Sequence, residues 1–204
     1  PMSLEEFRKA RAGEKRDAAL AAATALFRQT GFERTSMEAV ANAAGISTAT
    51  LYRQFPSKES LFEAVAVAAL DRLAAPLPTR GGAKLRLTAL AVNYAELLAS
   101  PETRGFMRMI IAETGRNPRL AEIFYEKVKS RLGGGFVAAF GEGVAQGVFK
   151  RASDPGHAVG QLQGMIEHAL LMRGLILGDD VAPLRSPKEI ARSAVETWLA
   201  RWAR

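Results

Sequence analysis

TSMEAVANAAGISTATLYRQFPSKESLF, residues 35–62, is the stretch whose reading decides the fold. Thr35 offers a hydroxyl to cap a helix, and Glu38 stands at the third helical position to complete a capping box. Met37, Val40, Ala41 and Ala44 then form one apolar face. Gly45 follows at once, where a left-handed backbone turns the chain sharply, and Ile46 plugs the corner between two steeply crossed helices. Ala41 supplies the small residue such a crossing needs. Ser47 caps a second helix in which Leu51 and Phe55 point inward at i, i+4. That leaves Ser47, Thr48, Ala49, Thr50, Tyr52, Arg53 and Gln54 to face outward. Pro56 ends this helix, and Ser57 caps a third, with Lys58 in its first turn.

The outward face suits a DNA major groove. Hydroxyls and the Tyr52 phenol bond phosphates, Arg53 and Gln54 reach phosphates or base edges, and Ala49 or a threonine methyl touches thymine. The first-turn amides and ammonium at Lys58 suit another phosphate. The competing reading is an ordinary three-helix bundle with polar surface residues.

Extended to LFRQTGFERTSMEAVANAAGISTATLYRQFPSKESLF, residues 26–62, the sequence resembles the N-terminal domain of TetR-family (tetracycline-repressor-like) transcriptional regulators. The resemblance covers about Asp17 to Val65. It implies DNA-backbone contacts at Thr35 and Ser36, a recognition helix from Ser47 to Gln54, and a phosphate contact at Lys58. It further implies a dimeric, all-helical protein released from DNA by a small molecule. Ala19, Ala23 and Thr24 depart from it, standing where many relatives carry larger aliphatics.

Upstream, a helix is expected from Lys15 to Gln29, with Leu20, Ala23 and Phe27 on one face and Gly31 past its end. Before it, Arg8, Lys9, Arg11, Lys15 and Arg16 cluster, partly offset by Glu5, Glu6, Glu14 and Asp17. They read equally as an arm tracking phosphates or as a frayed, solvated terminus. The net charge of +7 favours polyanionic partners. Its distribution adds little, because residues 1–60 hold nine Lys or Arg against seven Asp or Glu.

Downstream, Leu61, Val65, Ala68, Ala69 and Leu73 continue an apolar stripe, so a helix from Ser57 to about Ala75 links the two parts of the chain. PLPTRGG, residues 76–82, breaks it. The expected division is a helix-turn-helix DNA-binding domain over 1–60 and a helical ligand-binding and dimerisation domain over 61–204. A cap followed by proline recurs at Ser100-Pro101, Asn117-Pro118, Asp154-Pro155 and Ser186-Pro187, each marking a helix start. Helices are expected near 83–99, 101–114, 118–131, 136–149, 155–177 and 187–202. Strand alternation never persists, so the fold class is all-α. Zero cysteines exclude disulfides and thiolate metal sites. With no apolar run near ~20 residues and no signal-peptide pattern, the expected location is cytoplasmic.

FMRMIIAETGRNPRLAEIFY, residues 106–125, is similar to the C-terminal domain of an AefR-like subgroup of the same family. Phe106, Met109, Ile110, Phe124, Val128 and Met165 are candidate linings of a pliable apolar pocket, with plain hydrophobic core as the alternative. Tyr94, Glu113, Gln161 and His168 are candidate polar anchors within it. Gly160 and Gly164, then Leu171 and Leu175, would admit a partner helix, and Val195, Trp198 and Trp202 add a stripe on the last helix. For both tryptophans the alternative is to cover their own domain's core. An enzyme is disfavoured by only two histidines, no cysteine, no phosphate-binding glycine loop and no metal-ligand spacing, and no cofactor is called for. The expected function is a homodimeric repressor that leaves a palindromic operator when a small hydrophobic or aromatic effector binds. An architectural DNA-binding protein without an effector is the alternative.

Overall fold

The computed structural model describes residues 3–72, 81–128, 132–178 and 183–204. They divide into two compact units, Pro1–Ala69 with Met109–Phe124, and Leu70–Arg108 with Tyr125–Arg204. The expected helical architecture is found.

In the amino-terminal unit, α1 runs Leu4–Thr30, well before the expected start at Lys15. Its capping box is reciprocal: Glu6 N–H donates to Ser3 Oγ (3.2 Å), and Ser3 N–H donates to Glu6 Oε2 (2.7 Å). These bonds from Ser3 hold the Glu6 carboxyl below its usual range. Gly31, at φ 82°, ends the helix in a conformation that side chains avoid. The buried Phe27, Phe32 and Phe62 then meet with ring centroids 5.5 to 5.9 Å apart. Ala19 and Ala23 are fully buried beside Leu20.

The short helix α2, Met37–Ala43, is capped by Ser36 rather than Thr35. Thr35 is buried, and its hydroxyl turns back to donate to the Gly31 carbonyl (2.7 Å), beside the Thr30 hydroxyl (2.9 Å). Glu38 therefore falls in the first turn without completing a box. Gly45, at φ 65°, makes the expected left-handed turn, and Ile46 N–H bonds the Ala41 carbonyl across the corner (3.0 Å). Next, α3 covers Thr48–Gln54, and α4 covers Lys58–Arg72. Ser57 and Ser60 cap α4 reciprocally, each backbone N–H donating to the other's hydroxyl at 3.1 Å. Leu61 and Val65 are buried as the stripe predicts, whereas Leu73 lies outside the described residues.

The carboxy-terminal chain comprises α5 (Ala83–Ala99), α6 (Pro101–Thr114), α7 (Pro118–Val128), α8 (Gly134–Ala145) and α9 (Pro155–Glu167). A π turn at His168–Met172 leads into α10 (Arg173–Leu177), and α11 spans Pro187–Trp202. The proline-capped starts hold: Asp154 accepts from His157 N–H (3.0 Å), and Ser186 forms a capping box with Glu189. The helix expected over 136–149 stops at Ala145, because Gly147 turns left-handed at φ 71°. Phe149 then bridges to Ala203 beside the chain's end.

The core of this unit is aromatic. Phe140, Phe149 and Trp198 are buried with centroids 5.3 to 5.9 Å apart, and Trp198 Nε1–H donates to the Ala158 carbonyl (2.6 Å). Burying each such ring contributes roughly 1.5–3 kcal/mol, and each well-placed aromatic pair about 0.5–1.5 more. Gly143 has no side chain because Phe149 occupies that space. Among the described residues no helix is long and apolar enough to cross a membrane.

Candidate functional site

On α3, Leu51 and Phe55 are buried, and this anchors the helix so that its other side is free. Ser47 caps it, accepting from Thr50 N–H (3.2 Å) and sharing a 2.8 Å hydroxyl contact with Thr50. Ala49, Tyr52 and Arg53 are exposed, Tyr52 at 44 %, while Thr48 and Thr50 are half-buried. Gln54 differs from its expected outward role. It is half-buried, and its Nε2–H donates to the Ala12 carbonyl of α1 at 3.4 Å.

Beside α3 opens a cleft of about 490 Å³ lined by Glu33, Arg34, Thr35, Ser36, Met37, Tyr52, Pro56, Ser57 and Lys58. It brings together Ser36, Tyr52 and Lys58, which sequence analysis singled out separately. Thr35 also borders it, with its buried hydroxyl donating to the Gly31 carbonyl. Arg34 was not anticipated. It sits at the rim with Nε–H on the Thr30 carbonyl (2.9 Å), and its only sequence signal was a cation next to the hydroxyl pair.

Lys58 is more than a surface cation. Its ammonium donates to the carbonyls of Phe32 (2.9 Å) and Glu33 (3.1 Å) and lies 4.4 Å from the Phe32 ring centroid. An ammonium has three donors, so one remains for an anion in the cleft. The cleft thus presents hydroxyl, phenol, guanidinium and ammonium donors together, beside a helix whose polar residues face out. That donor set fits the phosphates flanking a groove.

The effector candidates divide between the units: Met109, Ile110, Glu113 and Phe124 in the first, Tyr94, Phe106, Gln161, Met165 and His168 in the second. Val128's side chain lies outside the described residues. Phe106, Met109, Ile110 and Glu113 share one buried face of α6. Glu113 Oε2 has no hydrogen-bond partner among the described residues, and Oε1 lies against Gly31 at the end of α1. Tyr94 is a satisfied core residue, its hydroxyl donating to Glu167 Oε1. Burial, and secondarily the Glu167 charge, pushes its phenol well up.

Gln161 and His168 are not internal anchors. Both are exposed, and with Gly164, Met165, Thr197, Trp198, Arg201 and Trp202 they line an open, largely apolar trough of about 710 Å³ on α9 and α11. Trp202 bonds Gln161 Oε1 there (3.2 Å). Gly160 and Gly164 are exposed, with open space where a Cβ would stand. Leu171 and Leu175 are half-buried, and Met172, Ile176 and Leu177 are exposed. Val195 and Trp198, expected on a partner-facing stripe, are instead almost wholly buried in their own core. Tertiary packing claimed the inner half of that stripe.

Residues 85–204 match the family described as AefR-like transcriptional repressor, C-terminal domain, and residues 19–65 match the family of bacterial regulatory proteins, tetR family. The solved structure of the flavonoid-responsive regulator FrrA is 31% identical with a TM-score of 0.75, covering 94% of this chain and 98% of that one. A regulator assigned to the TetR family from Mesorhizobium loti is 28% identical with a TM-score of 0.72, covering 95% and 99%. The HTH-type transcriptional repressor ComR of Escherichia coli (strain K12) is 48% identical over 60 residues, 29% of either chain. The match therefore spans less than a third of that repressor.

Proposed function

We propose, on the premise that this chain belongs to the TetR family of DNA-binding transcriptional regulators and is not an enzyme, that it is an effector-released repressor acting as a two-fold dimer. The observation that carries the DNA reading is α3 itself, anchored by Leu51 and Phe55 with Tyr52 and Arg53 exposed beside the cleft of Ser36 and Lys58. Ala49 and Arg53, with Thr48 and Thr50 at the edges, reach base edges. Tyr52, Ser36 and Lys58 hold phosphates and set the register.

The open trough on α9 and α11 supports a second copy as its occupant. A largely apolar depression is costly to leave in water, Gly164 in its lining allows close helix approach, and Met172, Ile176 and Leu177 are also exposed further along the chain. A two-fold axis there gives two reading heads for half-sites about 34 Å apart, hence a palindromic operator.

The effector is a small aromatic or hydrophobic molecule carrying a hydroxyl, read by the Met109, Ile110 and Glu113 face of α6. Glu113 Oε2 is a buried acceptor awaiting a donor, and the same carboxylate lies against Gly31, from which the chain leads into α2. A hydroxyl bound to Glu113 shifts the population of the α1–α2 turn. A coupling of ~1–3 kcal/mol changes DNA affinity by about 5 to 150-fold. FrrA, described as flavonoid-responsive, suggests the probe.

The test is operator binding by fluorescence anisotropy, with and without a flavonoid. Tyr52→Ala and Arg53→Ala are expected to weaken binding while sedimentation still shows dimers, and Arg53→Ala to alter base preference as well. A flavonoid is expected to release wild type but not Glu113→Ala. Equal release of both refutes the role of Glu113, and no release by any flavonoid removes the aromatic-effector reading.

A further inference from the structure

The first half of α1 has a charge pattern that neither the core nor the recognition helix explains. Residues 9–17 are all exposed, although α1 continues unbroken into Ala19, Leu20, Ala23 and Phe27, which are buried. Successive residues of a helix advance by about 100°. Among the charged residues whose side chains are described, that register puts Lys9, Arg11, Lys15 and Arg16 on one side around Ala12, and Glu6, Glu14 and Asp17 on the other. The basic side is the forward continuation of the face that packs the core, so it points where the rest of the unit lies but overhangs it.

Two contacts fix that orientation. The Arg16 guanidinium sits 4.7 Å from the ring centroid of Phe55, the residue ending α3, and Gln54 donates to the Ala12 carbonyl (3.4 Å). The basic face is thereby joined to the carboxyl end of the candidate recognition helix. An exposed helix whose inward side is cationic rather than apolar calls for a polyanion, and the adjoining α3 says which one.

We infer that the amino half of α1 is a rigid helical arm that grips duplex phosphates next to the half-site read by α3, through Lys9, Arg11 and Lys15. The inference rests on the DNA-binding reading of α3. The Ser3–Glu6 capping box is what makes the arm rigid from its first turn. From Leu4 to Asp17 it is about 21 Å long at 1.5 Å per residue, long enough to follow several phosphates. Because phosphate contacts carry no sequence information, the arm adds affinity and salt dependence and leaves base preference alone.

The experiment compares wild type with K9Q/R11Q/K15Q on a selected operator and on random duplex of equal length, titrated between 50 and 200 mM salt. Glutamine keeps the helix, checked by circular dichroism. Every phosphate that the variant no longer neutralises lowers the slope of log affinity against log salt by about 0.9, so each engaged arm accounts for about 2.7. Wild type is then expected to lose about 40-fold more affinity than the variant over that range for each engaged arm, on both duplexes. Identical slopes overturn the arm. So does an equal fall in K84Q/R185Q/R192Q, which removes the same charge from exposed positions of the other unit. Failure of the underlying reading looks different: wild type itself would show no preference for operator over random duplex, while the arm's slope is still read on either.

Discussion

Replacing Lys58 with methionine separates its structural duty from its expected phosphate contact. Methionine keeps an apolar stem over the Phe32 ring but removes the ammonium that donates to Phe32 and Glu33 carbonyls at 2.9 and 3.1 Å. The Glu33 carbonyl is at the surface and rehydrates freely. The Phe32 carbonyl is partly buried, so its charge-assisted bond is the one that matters, at about 1.5–3 kcal/mol. The cation–π contact adds roughly 0.5–1 kcal/mol. The expected destabilisation of the amino-terminal unit is therefore about 2–4 kcal/mol. With a urea dependence of about 2 kcal/mol per molar, the unfolding midpoint should fall by roughly 1–2 M. Far-UV circular dichroism is the assay, because both tryptophans lie in the other unit and report on that one. DNA affinity should fall as well, and by more than unfolding alone removes at low urea. An unchanged midpoint would refute the reasoning, since it would leave the ammonium solvated and the α1–α2 turn held by something else.

Gly143→Ala drives a methyl into the Phe149 ring and against Ala83, and should cost about 1–3 kcal/mol; a variant as stable as wild type in urea would mean the core repacks at no cost. Tyr94→Phe leaves Glu167 Oε1 without its donor and should cost about 1–3 kcal/mol near neutral pH. The Tyr94 phenol is raised on folding, so its stabilisation is complete below the unfolded value near 10 and drains away as pH rises beyond it. The wild-type alkaline fall should be shallower in the Phe variant, and parallel curves would contradict the assignment. Trp202→Asp puts a charge into the trough and should weaken self-association by about 2 kcal/mol or more, roughly 30-fold, in sedimentation equilibrium. Unaltered sedimentation would take Trp202 out of the interface.

Where a helix start is written in local chemistry, the sequence was enough. The expected helices 83–99, 101–114 and 187–202 are found as α5, α6 and α11, and the latter two open on a cap followed by proline. The turn at Gly45 and the Ser47 cap are likewise local events. Three features were not legible. The amino half of α1 lacks an apolar stripe, so its only announcement was Ser3 with Glu6 three residues on. Thr35 and Ser36 are adjacent hydroxyls that can both cap a helix, and the choice fell to Ser36, the stronger cap, while Thr35 is drawn back to the Gly31 carbonyl. His168 and Gln161 recur among apolar residues at helical spacing, and that spacing does not distinguish a face turned into the core from one turned outward. The π turn at His168–Met172 left no trace in composition.

The central claim is that this chain reads a two-fold symmetric DNA site through α3. Selection of operators from random duplex by the purified protein tests it most directly. The account predicts an enriched inverted repeat with half-site centres one helical turn apart, or a multiple of it, bound at least about a thousandfold more tightly than random duplex at the same salt. Recovery of no consensus, with binding that merely collapses as salt rises, would contradict it and leave only phosphate attraction.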